Sequence, residues 1–490
     1  MATVPVDRST VRLVADPTRL ITKPYLPADQ GPVVGPHTRL ELVIRRVLSL
    51  TSAEVRATSK QLRSRFEGRH PDLDAVVGRG FSAVSGHVPD VADVSAEVRW
   101  LIGAYFMHEY SIEAAALTNP SIVVGPDQSD APSDSVRVVV SLRAVGEGHV
   151  SSIEFRSGLV GPGGEISLDP PGTPVTGDRR SPLFDKEWFT AKLDEMGAID
   201  GLVTEVLDRL DASFSLGRLE EVLAGMIPED GSWIVALQVV QMMHWLASSS
   251  YELAFSPDSE LSQRVLFPNG PIESRGMEDA RMVRFSRRDG TFRYYATYTA
   301  FDGFSILPQL IETSDFQTFR IATLNGLAAK NKGIAIFPRL VGGRYAALAR
   351  SDGESNYFML SDDIRFWRTA TRIQIPARPW ELMQIGNAGA PIETEAGWLV
   401  VTHGVGPMRQ YALGAILLDL DDPTRVIGHL REPLLEPLPE ERDGYVPNVV
   451  YSCGSIIHRD RLVIAYGASD TSTGFASLEV DALLTELTRR

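Results

Sequence analysis

Cysteine is almost absent from the 490-residue chain, and Cys453 stands alone. A single thiol makes no internal disulfide and no Cys-x-x-Cys zinc pair, so a disulfide framework and a zinc ribbon are both excluded. Cys453 is expected to be a buried, inert thiol. Lysine is scarce as well: arginine supplies 42 of the 48 basic residues and lysine six, two of them the near neighbours Lys330 and Lys332. Against these stand 63 acidic residues, for a net charge of −15. Such an excess argues against a nucleic-acid partner, which would want a basic face. No run of about 18 apolar residues occurs, so no membrane span is expected. The N-terminus carries no uninterrupted apolar h-region, and a cytoplasmic enzyme is the default expectation. Phosphate-loop, zinc-protease, nucleophile-elbow and EF-hand patterns are all missing. Nine histidines are scattered without ligand spacing, so neither a metal nor an organic cofactor is implied. His108 and His244, in apolar helical stretches, read as core.

What is present is an ordinary globular composition, 43% hydrophobic and 23% charged. The length allows two or three domains or one large β architecture. Residues 1–36 read as an extended lead-in. Leu40, Val43, Ile44, Val47 and Leu48 recur at helical spacing, and a second apolar stretch runs from Ala96 to about Leu117, so the first 118 residues read as mainly α. Val136–Arg143 is β-branched and strand-like. A further helical block, 184–248, interrupts the β region. Beyond it come four apolar strand–turn–strand units whose turns fall near residues 289, 342, 396 and 460. A strand cluster every ~50–60 residues predicts a β-propeller, with room for about five blades, over a β-sandwich. The domains expected are therefore 1–118, a first blade at 119–183, the insertion 184–248, and the remaining blades and C-terminal segment at 249–490.

Polar residues gather at strand edges within these repeats: Gly276-Met-Glu-Asp-Ala-Arg281; Lys330-Asn-Lys332 with Phe337-Pro338 and Arg350; Ile385–Pro391 leading to Trp398 and His403-Gly404; and Tyr466-Gly-Ala-Ser-Asp470-Thr471. Corresponding positions of propeller blades converge on a central axis, so these groups can meet in one funnel. Trp398 reads as blade core, whereas Trp380 and Tyr445 are candidates for stacking on a sugar.

In this order the segments, together with Leu417-Leu-Asp419 and Pro423, resemble glycoside hydrolase family 130. That family comprises five-bladed propeller enzymes acting on β-mannosides, most of them inverting phosphorylases and some inverting hydrolases. Asn119-Pro120-Ser121 and Arg143 look like its first-blade motif. The likeness covers about 119–183 and 249–480 and leaves out both helical regions. Ala280 stands where the family commonly has proline, and Gln384 where its phosphorylases often have lysine. The resemblance implies that Asp279 is the catalytic acid, passing its proton through the mannose 3-hydroxyl. It implies that Asn119, Ser121, Arg143 and Asp470, with Glu278 beside them, bind the mannoside. Arg350, His403 and Tyr411 match phosphate-binding positions, to which Lys330 or Lys332 adds.

The expected reaction is phosphorolysis of a β-mannoside, β-1,2-linked oligomannoside by preference, to α-mannose 1-phosphate. Phosphate is then a co-substrate, and no other cofactor is needed. An anionic nucleophile needs no general base but does need a local cationic pocket. Two alternatives stay open: an inverting β-mannosidase using Glu278, Glu381 or Glu393 as base, and a non-catalytic carbohydrate-binding propeller. The helical regions are expected to cover the funnel mouth or to form a homo-oligomer interface.

Overall fold

A computed structural model describes residues 4–27, 37–70, 72–226 and 233–489. The chain divides into two compact units, Thr18–Ser111 and the remainder. In the smaller, helices Arg39–Leu48, Ser52–Phe66, Leu73–Val84 and Ala96–Tyr105 lie between the antiparallel strands Leu20–Pro24 and Met107–Ser111 in the chain. Thr38 with Glu41, and Thr51 with Glu54, form reciprocal capping boxes at the first two helices. Ile44, Val47, Val55, Val84, Leu101 and Ile102 make its core.

The larger unit is mainly β. Five antiparallel meanders follow one another along it, the first two joined into one larger sheet by the parallel pairing of Gly276 with Ser151. The first comprises Ala116–Val124, Val136–Val145, Ser151–Val160 and Ile166–Leu168, and the second Gly276–Ser286, Phe292–Phe301, Ile306–Thr313 and Thr318–Thr323. Ala335–Ile336, Tyr345–Ala349, Asn356–Ser361 and Ala370–Gln374 form the third. The fourth contains Gln384–Asn387, Gly397–Val405, Tyr411–Leu418 and Val426–His429, with Ile392–Thr394 as an additional strand beside Gly397–Val405. The fifth pairs Val450–His458, Arg461–Ala468 and Ser472–Glu479, and its fourth strand is Asp7–Val14 from the other end of the chain.

The apolar runs are long because each sheet buries both faces. Successive side chains of a strand point to opposite sides. Thus Trp398 and Val400 pack with Phe337 and Leu348 of the third sheet, while Leu399 and Val401 pack with Leu462 and Ile464 of the fifth. Val463 and Ala465, in turn, join Ile122, Val138 and Val140 of the first. Met282 faces the first sheet, and its neighbour Val283 the third. Every sheet therefore shares a hydrophobic cluster with the next, and the last with the first.

Several boundaries differ from the sequence expectation. The lead-in holds a strand, Asp7–Val14, that belongs to the last sheet. The helical stretch from Ala96 stops at Tyr105, and β structure begins at Met107. The insertion carries helices Lys186–Glu195, Gly201–Asp208, Leu216–Ala224 and Trp233–Ser248, the first three capped by Asp185, Asp200 and Ser215. Among the described residues no helix is long and apolar enough to cross a membrane.

The strand from the N-terminus is pinned by charge as well as by its ladder. Arg8 donates through Nη1 to Glu441 and to the Tyr466 hydroxyl (3.1 Å), and Tyr466 donates to Glu441 Oε1 (2.8 Å). Glu441 is buried, so removing its cation leaves an uncompensated charge. Arg8→Ala is expected to cost about 3 kcal/mol, read as a lower urea midpoint; an unchanged midpoint would show that the ladder alone holds the strand.

Candidate active site

Two inner-strand bulges aim side chains away from their sheets. The register of Ala116–Val124 slips between Thr118 and Ser121, and that of Gly276–Ser286 between Glu278 and Arg281. At the slips stand Asn119 (φ 48°) and Asp279 (φ 56°), and Asp470 (φ 49°) holds the same left-handed conformation in the turn before Ser472. Asn and Asp are the non-glycine residues that tolerate this region best. A bulge of this kind redirects a side chain.

All five sheets contribute to one cavity of about 190 Å³. Asn119 and Arg143 come from the first, Glu278 and Asp279 from the second. Lys332 leads into the third, and Arg350 follows its Tyr345–Ala349 strand; Gln384, Arg409 and Tyr411 belong to the fourth. Val449, Tyr451 and Asp470 come from the fifth, with Val446 just ahead of it.

Glu278 is held between two cations, Arg143 Nη2 at 2.7 Å and Lys332 Nζ at 2.6 Å. Burial pushes the Asp470 carboxyl up to about 6, and the neighbouring Asp279 and Glu278 carboxylates add to this against the pull of Arg143 and Arg409. Arg281 lies beneath the cavity, donating to the Asp279 carbonyl (3.0 Å) and to the Tyr451 hydroxyl.

His403 occupies the same lower layer rather than the cavity wall. It is buried, and desolvation followed by the charges of Arg350 and Arg281 holds its pKa well below the ordinary imidazole range. The ring is therefore neutral. Its Nδ1–H donates to the Asn387 carbonyl (3.1 Å), which leaves Nε2 to accept from Arg350 Nη1 (3.1 Å) and Gln384 Nε2 (3.3 Å). Both ring nitrogens are engaged, so His403 holds Arg350 in place instead of meeting an anion itself. Arg350 Nε has no partner among the described residues.

Four other expected residues lie elsewhere. Ser121 is fully buried and its Oγ accepts from the Met282 amide (3.0 Å), tying the first sheet to the second. Lys330 is exposed and outside the lining. Trp380 packs against Gly404 and Gly414 and donates to the Arg431 carbonyl (3.1 Å), while the exposed Tyr445 stacks on His149 at 5.6 Å; neither lines the cavity. Arg409 was not anticipated. It sits two residues before Tyr411 in a Gly-Pro-Met-Arg-Gln turn, and a cation at a hairpin tip beside an expected ligand was the signal available. Among the described residues, no group of His, Cys, Asp and Glu is arranged to hold a metal.

Asp470 yields a pH prediction. Its folded pKa lies above the ordinary 3.8, so the native state binds the proton more tightly than the unfolded chain. The associated stability is complete below about pH 4 and is lost as pH rises through about 6. Asp470→Asn removes a buried charge and should stabilise the protein by roughly 2–3 kcal/mol at pH 7.5, with the gain vanishing near pH 4. Thermal unfolding at the two pH values tests this, and an equal shift at both would refute it.

The model of a family described as beta-1,4-mannooligosaccharide phosphorylase matches residues 258–489. A 1,2-beta-oligomannan phosphorylase of Thermoanaerobacter sp. (strain X514) is 37% identical over 228 residues, covering 45% of this chain and 74% of that protein. A beta-1,2-mannobiose phosphorylase of Listeria innocua is 32% identical over 272 residues, 53% of this chain and 75% of that one. A solved structure of the Listeria innocua beta-1,2-mannobiose phosphorylase with beta-1,2-mannobiose aligns at TM-score 0.45 and 22% identity, over 77% of this chain and 93% of that chain. With identity of this level across three quarters of curated relatives, the chain belongs to glycoside hydrolase family 130, the β-mannoside phosphorylase family.

Proposed function

We propose that the protein phosphorolyses β-1,2-linked manno-oligosaccharides, with inversion, on a five-bladed propeller whose blades are the five meanders. The circular sharing of hydrophobic clusters supports the propeller. The helical unit and the insertion are then additions to it.

One observation carries the reaction type: the cavity puts carboxyl groups and otherwise unspent cations in one small space. The Asp279 carboxylate helps raise the Asp470 pKa, and Arg350 and Arg409 line the same walls with no ion pair among the described residues. In this reading Asp279 supplies the proton that reaches the leaving oxygen, by way of the mannose 3-hydroxyl. Asn119, Arg143 and Asp470 grip the mannose, with Glu278 tensioned between Arg143 and Lys332. Phosphate lies against Arg350, Arg409 and Tyr411. A phosphate oxygen forms its bond to C1 as the C1–O glycosidic bond breaks on the opposite face. That bond's electrons go to the departing oxygen, which takes the proton. The products are α-mannose 1-phosphate and a shortened oligosaccharide, and the reverse reaction transfers mannose back.

The hydrolytic alternative needs a second carboxylate as base. Glu381 is fully buried and paired with Arg378, and Glu393 is paired with Arg339; both lie outside the cavity. Glu278 is neutralised by two cations. Phosphate, already an anion, needs none of them. The names of the two relatives support the 1,2 linkage.

Incubation with β-1,2-mannobiose should give mannose 1-phosphate only when phosphate is present; equal mannose release without phosphate would favour the hydrolase. Asp279→Asn should lower kcat by about 10³-fold while sugar binding persists. Arg350→Ala should raise the phosphate KM about tenfold or more with the mannoside KM little changed, and parallel loss in both constants would remove Arg350 from the phosphate site.

A further inference from the structure

A second and larger cleft, about 680 Å³, lies between the helical insertion and the outer part of the second sheet. Its walls come from the insertion's first helix, from strand Thr318–Thr323 and its outer neighbour Tyr251–Ala254, and from the 363–365 turn of the third sheet. These strands lie three and four places along the sheet from Gly276–Ser286, which carries Asp279, and only Asp178–Arg180 lies beyond them. The volume is within the roughly 300–1,000 Å³ of small-molecule clefts, and more than three times that of the catalytic cavity.

The wall chemistry narrows the ligand. Phe184 and Phe189 form an aromatic floor braced by Phe214, with ring centroids at 5.5 and 5.3 Å. Above it the charges are mutually satisfied: Arg320 with Glu252 at 2.6 Å, Glu312 with Arg293, and Lys192 with Glu195 at 3.1 Å and the Leu324 carbonyl at 3.1 Å. Asp185 and Asp363 accept from the Trp188 and Arg365 amides, and with the other charges paired the wall offers little to an ion away from Arg365 at its rim. It offers donors and acceptors to a neutral polyol. Just behind the wall, the buried Thr323 Oγ1 and Asn325 Oδ1 have no hydrogen-bond partner among the described residues, although both residues line the cleft. Buried oxygens in that state call for a donor. At the rim, the exposed Arg365 lies over Trp188 at 4.8 Å, beside Asp363.

We propose that this cleft is a second carbohydrate site, holding a stretch of neutral oligosaccharide several units long at a distance from the reacting bond. Its identification as manno-oligosaccharide rests on the function proposed above. Rotation of either side chain toward the cleft lets a sugar hydroxyl supply the donor that Thr323 or Asn325 lacks, and the C–H faces of the sugars lie on the aromatic floor. A long chain anchored there raises the local concentration of its own ends at the catalytic cavity. A disaccharide gains nothing from it.

The test uses the full-length Asp279→Asn protein, titrated calorimetrically with a β-1,2-mannopentaose in phosphate-free buffer. Two binding events are expected. An added Asp363→Ala/Arg365→Ala pair, at exposed or half-buried positions, should abolish one of them. In the otherwise wild-type enzyme this pair should leave mannobiose turnover unchanged and raise the KM for the pentaose about tenfold. Ser250→Trp, which fills the cleft from another side, should do the same. One binding event, or two events unaffected by both variants, overturns the inference. If mannobiose is phosphorolysed and the titration shows a single site, the cleft proposal alone fails; if the cleft binds sugar but no phosphorolysis is seen, the reading of the catalytic cavity fails instead.

Discussion

The pairing of Asp7–Val14 with Ser472–Glu479 joins the two ends of the larger unit into one sheet. That sheet meets the fourth through Leu462 and Ile464 and the first through Val463 and Phe475. Without its outer strand, Ser472–Glu479 would present an unpaired edge. The consequence reaches the cavity, because Tyr451 and Asp470 arrive from this sheet to face Asp279 of the second and Arg143 of the first. A contact between residues that far apart in sequence exists only while the ring of sheets is closed. Arg8, Glu441 and Tyr466 place a buried charge network at that seam, where a slip would be most damaging.

Burial of both faces also governs how the site is built. A sheet packed on either side has no free face for polar groups, so chemistry is confined to strand edges and turns. Asn119 and Asp279 leave the ladder through bulges, and Asp470 through a turn. Each takes a left-handed conformation costing of order 1 kcal/mol, offset by the packing around it. Beneath them Ser121, Arg281, Asn387 and His403 are each hydrogen-bonded within the protein, Arg281 to Tyr451 of the lining and His403 to Arg350, which fixes the groups above. The neutral His403 belongs there for an electrostatic reason. Between Arg350 and Arg281 a third cation would be repelled, whereas an imidazole lone pair accepts a hydrogen bond from Arg350.

The alternation of apolar strand and tight turn was legible because two-sided burial writes a continuous apolar run such as Trp398–Val401. The order of polar clusters along those runs made most of the cavity legible too. Three things were not. Asp7–Val14 alternates weakly and its partner is at the far end of the chain, so local pattern carries no sign of the pairing. Ser121 and His403 keep the residue types of ligands while serving one layer down, and depth is a property of packing rather than of residue type. Lys330 and Lys332 are indistinguishable by composition; the Asn331 backbone at φ 61° between them leaves Lys332 reaching Glu278 and Lys330 exposed.

A chain of net charge −15 must still admit an anion in the proposed reaction. The long-range field opposes this, but screening confines that field to about 8 Å at physiological salt, so the lining decides. Glu278, Asp279 and Asp470 face Arg143, Lys332, Arg350 and Arg409. If Asp470 holds a proton, as its raised pKa favours at mildly acid pH, and Asp279 holds the one it donates, Glu278 alone opposes four cations and the lining becomes clearly positive. Three of the four cations are arginines, whose planar forks match phosphate oxygens in a way an ammonium does not. The scarcity of lysine throughout the chain therefore costs the site little. The one lysine it uses holds a carboxylate in place, a task a point charge performs as well as a fork.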